Sequence, residues 1–128
     1  MEIVKVKKNM KRYKMKIRYR KESDLKRQIL NYLAYCGIFA WNNRNVGVWN
    51  AKYQKYIPSQ IRGVSDIIGI LPDGRFLAIE VKREGNKLTE WQKWFLNEIN
   101  MRKGVGIVAY SVDDVETRLI QEKIIKKR

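Results

Sequence analysis

Asp66, Glu80 and Lys82 are the residues whose types and spacing could do chemistry in this chain. They lie in one run, GVSDIIGILPDGRFLAIEVK, from Gly63 to Lys82, which is otherwise rich in Ile, Val and Leu. Acids and a lysine embedded in apolar segments are costly unless they bind something. Two carboxylates can hold a divalent cation. A lysine beside them can orient or deprotonate a water, or stabilise charge on a phosphate under attack. The chemistry implied is metal-assisted hydrolysis of a phosphodiester. The chain has no histidine, which removes a Ser-His-Asp triad, a Cys-His pair and any His-ligated zinc site. A single cysteine, Cys36, also excludes a zinc ribbon. A metal would be held by carboxylates, carbonyls and water, a donor set that suits Mg²⁺ or Mn²⁺.

Whether the two acids meet depends on a turn. Leu71-Pro72-Asp73-Gly74 has proline second and glycine fourth, matching a type I turn followed by a left-handed glycine in a three-residue hairpin loop. Strands at about 64–71 and 75–82 then pair with Leu71 opposite Arg75. In that register Asp66 faces Glu80, and Lys82 lies on the same face. Directly opposed carboxylates repel, so the arrangement calls for a cation between them. A two-residue loop would instead turn Asp66 to the opposite face.

The surrounding elements follow from periodicity. From Glu22 to Cys36, Leu25, Ile29, Leu33 and Cys36 recur at helical spacing, with Gly37 as a C-terminal cap. Glu22 lies on the same stripe, either as a site acid or as a first-turn glutamate favoured by the helix dipole. Ile38 to Trp49 contains a short strand, read from the alternation of Ile38, Ala40 and Asn42, with a bend near Gly47. Residues 50–62 lack a clean period. They mix Lys52, Lys55 and Arg62 with Tyr53 and Tyr56, a combination suited to phosphate contact and base stacking, or to a surface loop whose tyrosines pack on the core. Arg83 and Lys87, just past the second strand, extend the same basic surface. Thr89 to Lys103 reads as a helix with a Thr89/Gln92 capping box, a buried face of Trp91, Trp94, Phe95 and Ile99, and Gly104 as its stop. Residues 104–110 read as a buried strand. An Asp113/Glu116 capping box then opens a last helix with Val115, Leu119, Ile120 and Ile124 inward.

Composition bounds the partners. The 128 residues suffice for one domain with a substantial core. The division expected is a basic arm or hairpin over 1–21 and a single domain over 22–128. The 28 Lys and Arg against 13 Asp and Glu leave a formal net charge of +15, and the arm supplies most of it. A polyanion is the natural partner, through phosphate contact and counterion release. No apolar run is long enough to span a bilayer, no signal peptide is visible, and a lone cysteine suits a reducing cytoplasm.

The order of elements and the sequence Asp66, then Glu80-Val81-Lys82, resemble the PD-(D/E)XK nuclease motif. With Glu22 in the preceding helix and Gln92 in the following one, the chain is similar to the VRR-NUC branch. That branch includes small stand-alone phage enzymes, Holliday-junction-resolvase-like in character, and the catalytic domain of the Fanconi-associated nuclease. The resemblance covers about residues 22–112 and departs at Ser65, where the family often has proline. It implies an α/β, restriction-endonuclease-like core: a central mixed β-sheet flanked by helices in the order αβββαβ. It also implies that Asp66, Glu80 and the backbone carbonyl of Val81 hold Mg²⁺, for which Mn²⁺ substitutes, with Glu22 contacting the ion directly or through water. Lys82 and Gln92 would serve the attacking water or the DNA backbone. The activity implied is a structure-selective DNA endonuclease acting on branched duplex such as four-way junctions, as a C2 homodimer. Two alternatives are a non-catalytic nucleic-acid-binding module of the same fold and a restriction-type DNA endonuclease.

Overall fold

The Pro72-Asp73-Gly74 turn forms as its residues dictate, and the rest of the sheet is laid out from it. A computed structural model describes residues 21–44, 48–57 and 61–127. Gly74 has φ +89°, its N–H donates to the Leu71 carbonyl at 2.8 Å, and the Leu71 N–H donates to the Arg75 carbonyl at 2.9 Å. The Asp73 side chain accepts from the Arg75 N–H, which tightens the loop further. The strands so joined are β4 (Ile67–Ile70) and β5 (Phe76–Val81), paired antiparallel with Ile67 opposite Ile79 and Ile70 opposite Phe76. This is the register expected with Leu71 opposite Arg75. Continued by one position, it sets Asp66 against Glu80.

Two further strands complete a four-stranded mixed sheet. β1 (Phe39–Asn42) runs antiparallel to β4, and β6 (Val105–Ala109) runs parallel to β5, giving the order β1-β4-β5-β6. The Asn43 N–H donates to the Asp66 carbonyl at 2.7 Å, so the β1–β4 ladder extends to the acid.

Helices cover both faces of the sheet. α1 (Glu22–Tyr35) buries Ile29 and Leu33, and α3 (Val112–Gln121) buries Val115 and Leu119. Together they cover Ile67, Leu71, Leu77, Ile79, Val81, Val105, Ile107 and Ala109 on one face. On the other face α2 (Glu90–Met101) sets Phe95 and Leu96 against Ile68 and Ala78. Alternation along β5 therefore sends Leu77, Ile79 and Val81 one way and Ala78 and Glu80 the other, under α2. α1 ends in a Schellman motif: Gly37 has φ +73°, its N–H bonds to the Ala34 carbonyl, and that of Ile38 bonds to the Leu33 carbonyl. The core order α1-β1-β4-β5-α2-β6 is the αβββαβ arrangement that the resemblance implies.

Several local readings are corrected. The short strand expected between Ile38 and Trp49 is β1, and a second, unexpected strand follows as β2 (Val48–Asn50). Part of the expected loop is β3 (Lys55–Ile57), which pairs with β2 as a separate two-stranded hairpin. Trp91 and Trp94, expected in the core, are exposed, because α2 turns Phe95 and Leu96 to the sheet instead. The last helix is capped by Ser111, whose hydroxyl accepts from the Asp114 N–H, and not by Asp113; Glu116 accepts from the Tyr32 hydroxyl. The left-handed residue after α2 is Lys103, while Gly104 is needed for room, since a Cβ there would fall 2.7 Å from Ile99 Cγ2. The basic arm and Gly47 lie outside the described residues. Among those described, no helix is long and apolar enough to cross a membrane.

Candidate active site

Glu80 is the centre of the site. It projects from β5 beneath the start of α2 and is only 3% exposed. Its Oε1 accepts a hydrogen bond from Gln92 Nε2 at 2.9 Å, and Lys82 Nζ lies 4.0 Å from the same oxygen. Its Oε2 is buried with no hydrogen-bond partner. Burial, and then the neighbouring charge of Asp66, raise its pKa from 4.5 to about 8, with Lys82 and Lys26 acting weakly in the other direction. A buried carboxylate with one oxygen unmatched is an unfavourable arrangement for a stabilising side chain. It is a suitable one for a ligand atom.

Asp66 approaches from the end of β4. Its Oδ2 accepts from the Val81 N–H at 2.9 Å, and its Oδ1 lies 3.5 Å from Lys26 Nζ. The carboxylate is thus anchored to the strand that carries Glu80 while keeping one oxygen toward a cation. Lys26 was not singled out from the sequence. The signal was available, because Lys26 follows Glu22 by one helical turn and so shares its face.

Gln92 closes the capping box that its sequence position suggested, and it also contacts Glu80. Its carbonyl oxygen accepts from the Thr89 N–H at 2.9 Å while its own N–H donates to the Thr89 hydroxyl, closing the capping box. That fixes the amide orientation and leaves the –NH₂ group aimed at Glu80. Exchanging the two ends would set donor against donor at Thr89.

Glu22 sits at the edge of this group. Its Oε1 accepts from the Arg83 N–H at 3.2 Å and from Asn86 Nδ2 at 3.1 Å, so it holds the turn that follows Lys82. Asn86 is a second contributor that the sequence did not single out. Among the described residues, no group of three or more His, Cys, Asp or Glu side chains is close enough together to hold a metal ion. The structure therefore brings together Asp66, Glu80, Lys82 and Gln92, and ties Glu22 to the adjoining turn. Two carboxylates of this kind, one with a buried unmatched oxygen, fit a hard divalent cation that keeps part of its water shell.

Of the remaining basic and aromatic residues, Lys52 and Lys55 flank the Tyr53 ring, with their ammonium groups 5.6 and 5.8 Å from its centroid. Tyr56 packs edge-on against Trp49, and both remain exposed. Arg62 lies over Trp91 at 5.6 Å. Arg83 and Lys87 are exposed beside the Glu22–Asn86 contact. Ser65, at the position where the resembled family often has proline, is fully buried, and its hydroxyl has no partner.

Comparison with known families matches residues 11–113 to the VRR-NUC domain. No curated protein and no solved structure matches the chain.

Proposed function

Because the chain belongs to the VRR-NUC domain family, restriction-endonuclease-like nucleases of the PD-(D/E)XK type, we propose that it is a Mg²⁺-dependent, structure-selective DNA endonuclease. The observation that carries this reading is the Glu80 carboxylate: buried, one oxygen unmatched, with Asp66 beside it and Lys82 4.0 Å away. Asp66, Glu80 and the Val81 carbonyl would hold Mg²⁺, or Mn²⁺ in its place, with Glu22 contributing directly or through water. When bound, the ion supplies positive charge against the phosphate and acidifies water at the site.

The chain's own residues account for the remaining work. Gln92 fixes the Glu80 carboxylate from one side, so the acid does not rotate away from its neighbour. The Val81 N–H does the same for Asp66. Lys82 is largely enclosed, with its ammonium 4.0 Å from Glu80 Oε1, where it would orient the attacking water or stabilise the charge that builds on phosphate oxygens. Water adds to phosphorus, one P–O ester bond breaks, and the products are a phosphomonoester and a hydroxyl group. No step needs a histidine.

The basic and aromatic surface would deliver the substrate. Lys52, Tyr53, Lys55 and Tyr56 on the β2–β3 hairpin, with Arg62, Arg83 and Lys87, present cations and ring faces suited to DNA. The net charge of +15 favours any duplex arm, and a C2 dimer would allow two strands to be cut symmetrically. The test is to incubate the protein with Mg²⁺ and matched linear, flap and four-way-junction DNA. Preferential nicking of the branched forms is expected. Equal cutting of all three refutes structure selectivity, and binding without cutting in both Mg²⁺ and Mn²⁺ refutes the enzyme.

A further inference from the structure

Trp91 precedes Gln92 on α2 and Trp94 follows it by two residues, and the two indoles are 50% and 46% exposed. Two neighbouring indoles left in water on the helix that reaches the acids ask for an occupant. Their ring centroids are 5.9 Å apart with an interplanar angle of 87°. In such an edge-to-face pair one ring gives an edge and the other gives one face. Whichever ring supplies the edge, one face of Trp94 stays outside the pair.

Arg62 completes the arrangement. Its guanidinium lies 5.6 Å from the Trp91 centroid. The next residue, Gly63, has φ +77° and lies so close to α2 that a Cβ there would fall 2.3 Å from the Trp91 carbonyl carbon. This close approach holds a cation and an aromatic ring together at the start of α2. The same Cβ would fall 2.7 Å from the backbone nitrogen of Gln92, whose side-chain amide contacts Glu80.

We propose that Trp94, backed by Trp91 and Arg62, stacks an unpaired nucleobase of the DNA close to the phosphodiester that is cut. This rests on the nuclease reading and narrows its substrate class to DNA with an unstacked base there, as at a flap, gap or junction. In continuous duplex both faces of each base are covered by its neighbours, so an indole gains nothing without unstacking one. An unpaired base offers a free face to any aromatic ring, whatever its sequence. Arg62 is placed to meet a phosphate of the same strand. The +15 charge and the cation seated on Trp91 favour an anionic occupant over an apolar protein surface.

The test uses flap DNA carrying 2-aminopurine at its unpaired position, and continuous duplex carrying the same probe. Wild type, Trp94→Ala and Trp94→Phe are compared. In EDTA the flap probe is quenched on binding wild type and Trp94→Phe, and much less on binding Trp94→Ala. In Mg²⁺ the ratio of kcat/KM for flap over duplex falls about tenfold in Trp94→Ala and is largely recovered in Trp94→Phe. An unquenched probe with wild type, or an unchanged ratio in Trp94→Ala, overturns the proposal. So does sedimentation showing that Trp94→Ala converts a wild-type dimer to a monomer, since the face would then be covered by a second copy. If wild type cuts neither of these nor a four-way junction, in Mg²⁺ or in Mn²⁺, the nuclease reading fails, and the quenching in EDTA still decides whether a base stacks on Trp94.

Discussion

Replacing Glu80 by glutamine should remove a pH-dependent loss of stability from the metal-free protein. Glu80 is 3% exposed, and its pKa is raised from 4.5 to about 8 by burial and by Asp66. Below pH 4.5 the carboxyl group is neutral whether the chain is folded or unfolded, so it contributes no penalty. Between 4.5 and 8 the folded protein keeps a proton that the unfolded chain has released, and stability falls as pH rises. Above 8 the penalty levels off. At 1.36 kcal/mol per pH unit, that interval corresponds to about 3–5 kcal/mol. Glutamine retains an oxygen to accept from Gln92 and offers an amide to Asp66, so the fold should survive the change. Denaturant titrations in EDTA at pH 5, 7 and 9 measure the effect. Groups other than Glu80 titrate in both proteins, so the difference between the two pH slopes isolates it. Wild type should lose about 3–5 kcal/mol relative to Glu80→Gln over this range. Mg²⁺ should restore wild type at pH 9 and leave Glu80→Gln unaffected. Parallel pH profiles, or equal stabilisation of both proteins by Mg²⁺, would refute the reasoning.

Other substitutions probe the supports of the site. Gly63→Ala places a Cβ 2.3 Å from the Trp91 carbonyl at a φ of +77°, and should destabilise the fold by about 2 kcal/mol or more, read as a drop in Tm. Gln92→Ala removes one half of the capping box and the donor to Glu80. Denaturant melts should show a loss of about 0.5–2 kcal/mol, with cleavage slowed further than that change in stability explains. Lys26→Ala removes a cation 3.5 Å from Asp66, and calorimetric titration should find Mg²⁺ bound about two- to fivefold more tightly.

Local chemistry made the central hairpin legible. Pro72, Asp73 and Gly74 specify one loop, the loop specifies one register, and the register places Asp66 and Glu80 together. The Thr89/Gln92 box was equally readable, because both hydrogen bonds lie within one turn. What sequence misread was decided by distant packing. Trp91 and Trp94 have the spacing of a buried face, yet the sheet accepts Phe95 and Leu96, centred about 120° further round the helix. Ser111 and Asp113 carry competing cap signals two residues apart, and the chain uses Ser111, whose hydroxyl accepts from the Asp114 N–H. The β2–β3 hairpin escaped notice because its strands are three residues each and its rings face solvent, so no alternation marks them. Helical phase leaves Glu22 open between a site acid and a first-turn glutamate, and only the resemblance assigns it to the site. Its contacts to Arg83 and Asn86 depend on a turn some sixty residues away.

Single-turnover cleavage of a four-way junction in Mg²⁺, by wild type, Asp66→Asn and Lys82→Ala protein of matched circular dichroism, tests the central claim most directly. Wild type should cut, and each variant should cut at least about a hundredfold more slowly while still binding the junction. Cutting by either variant at the wild-type rate would contradict the assignment of the site.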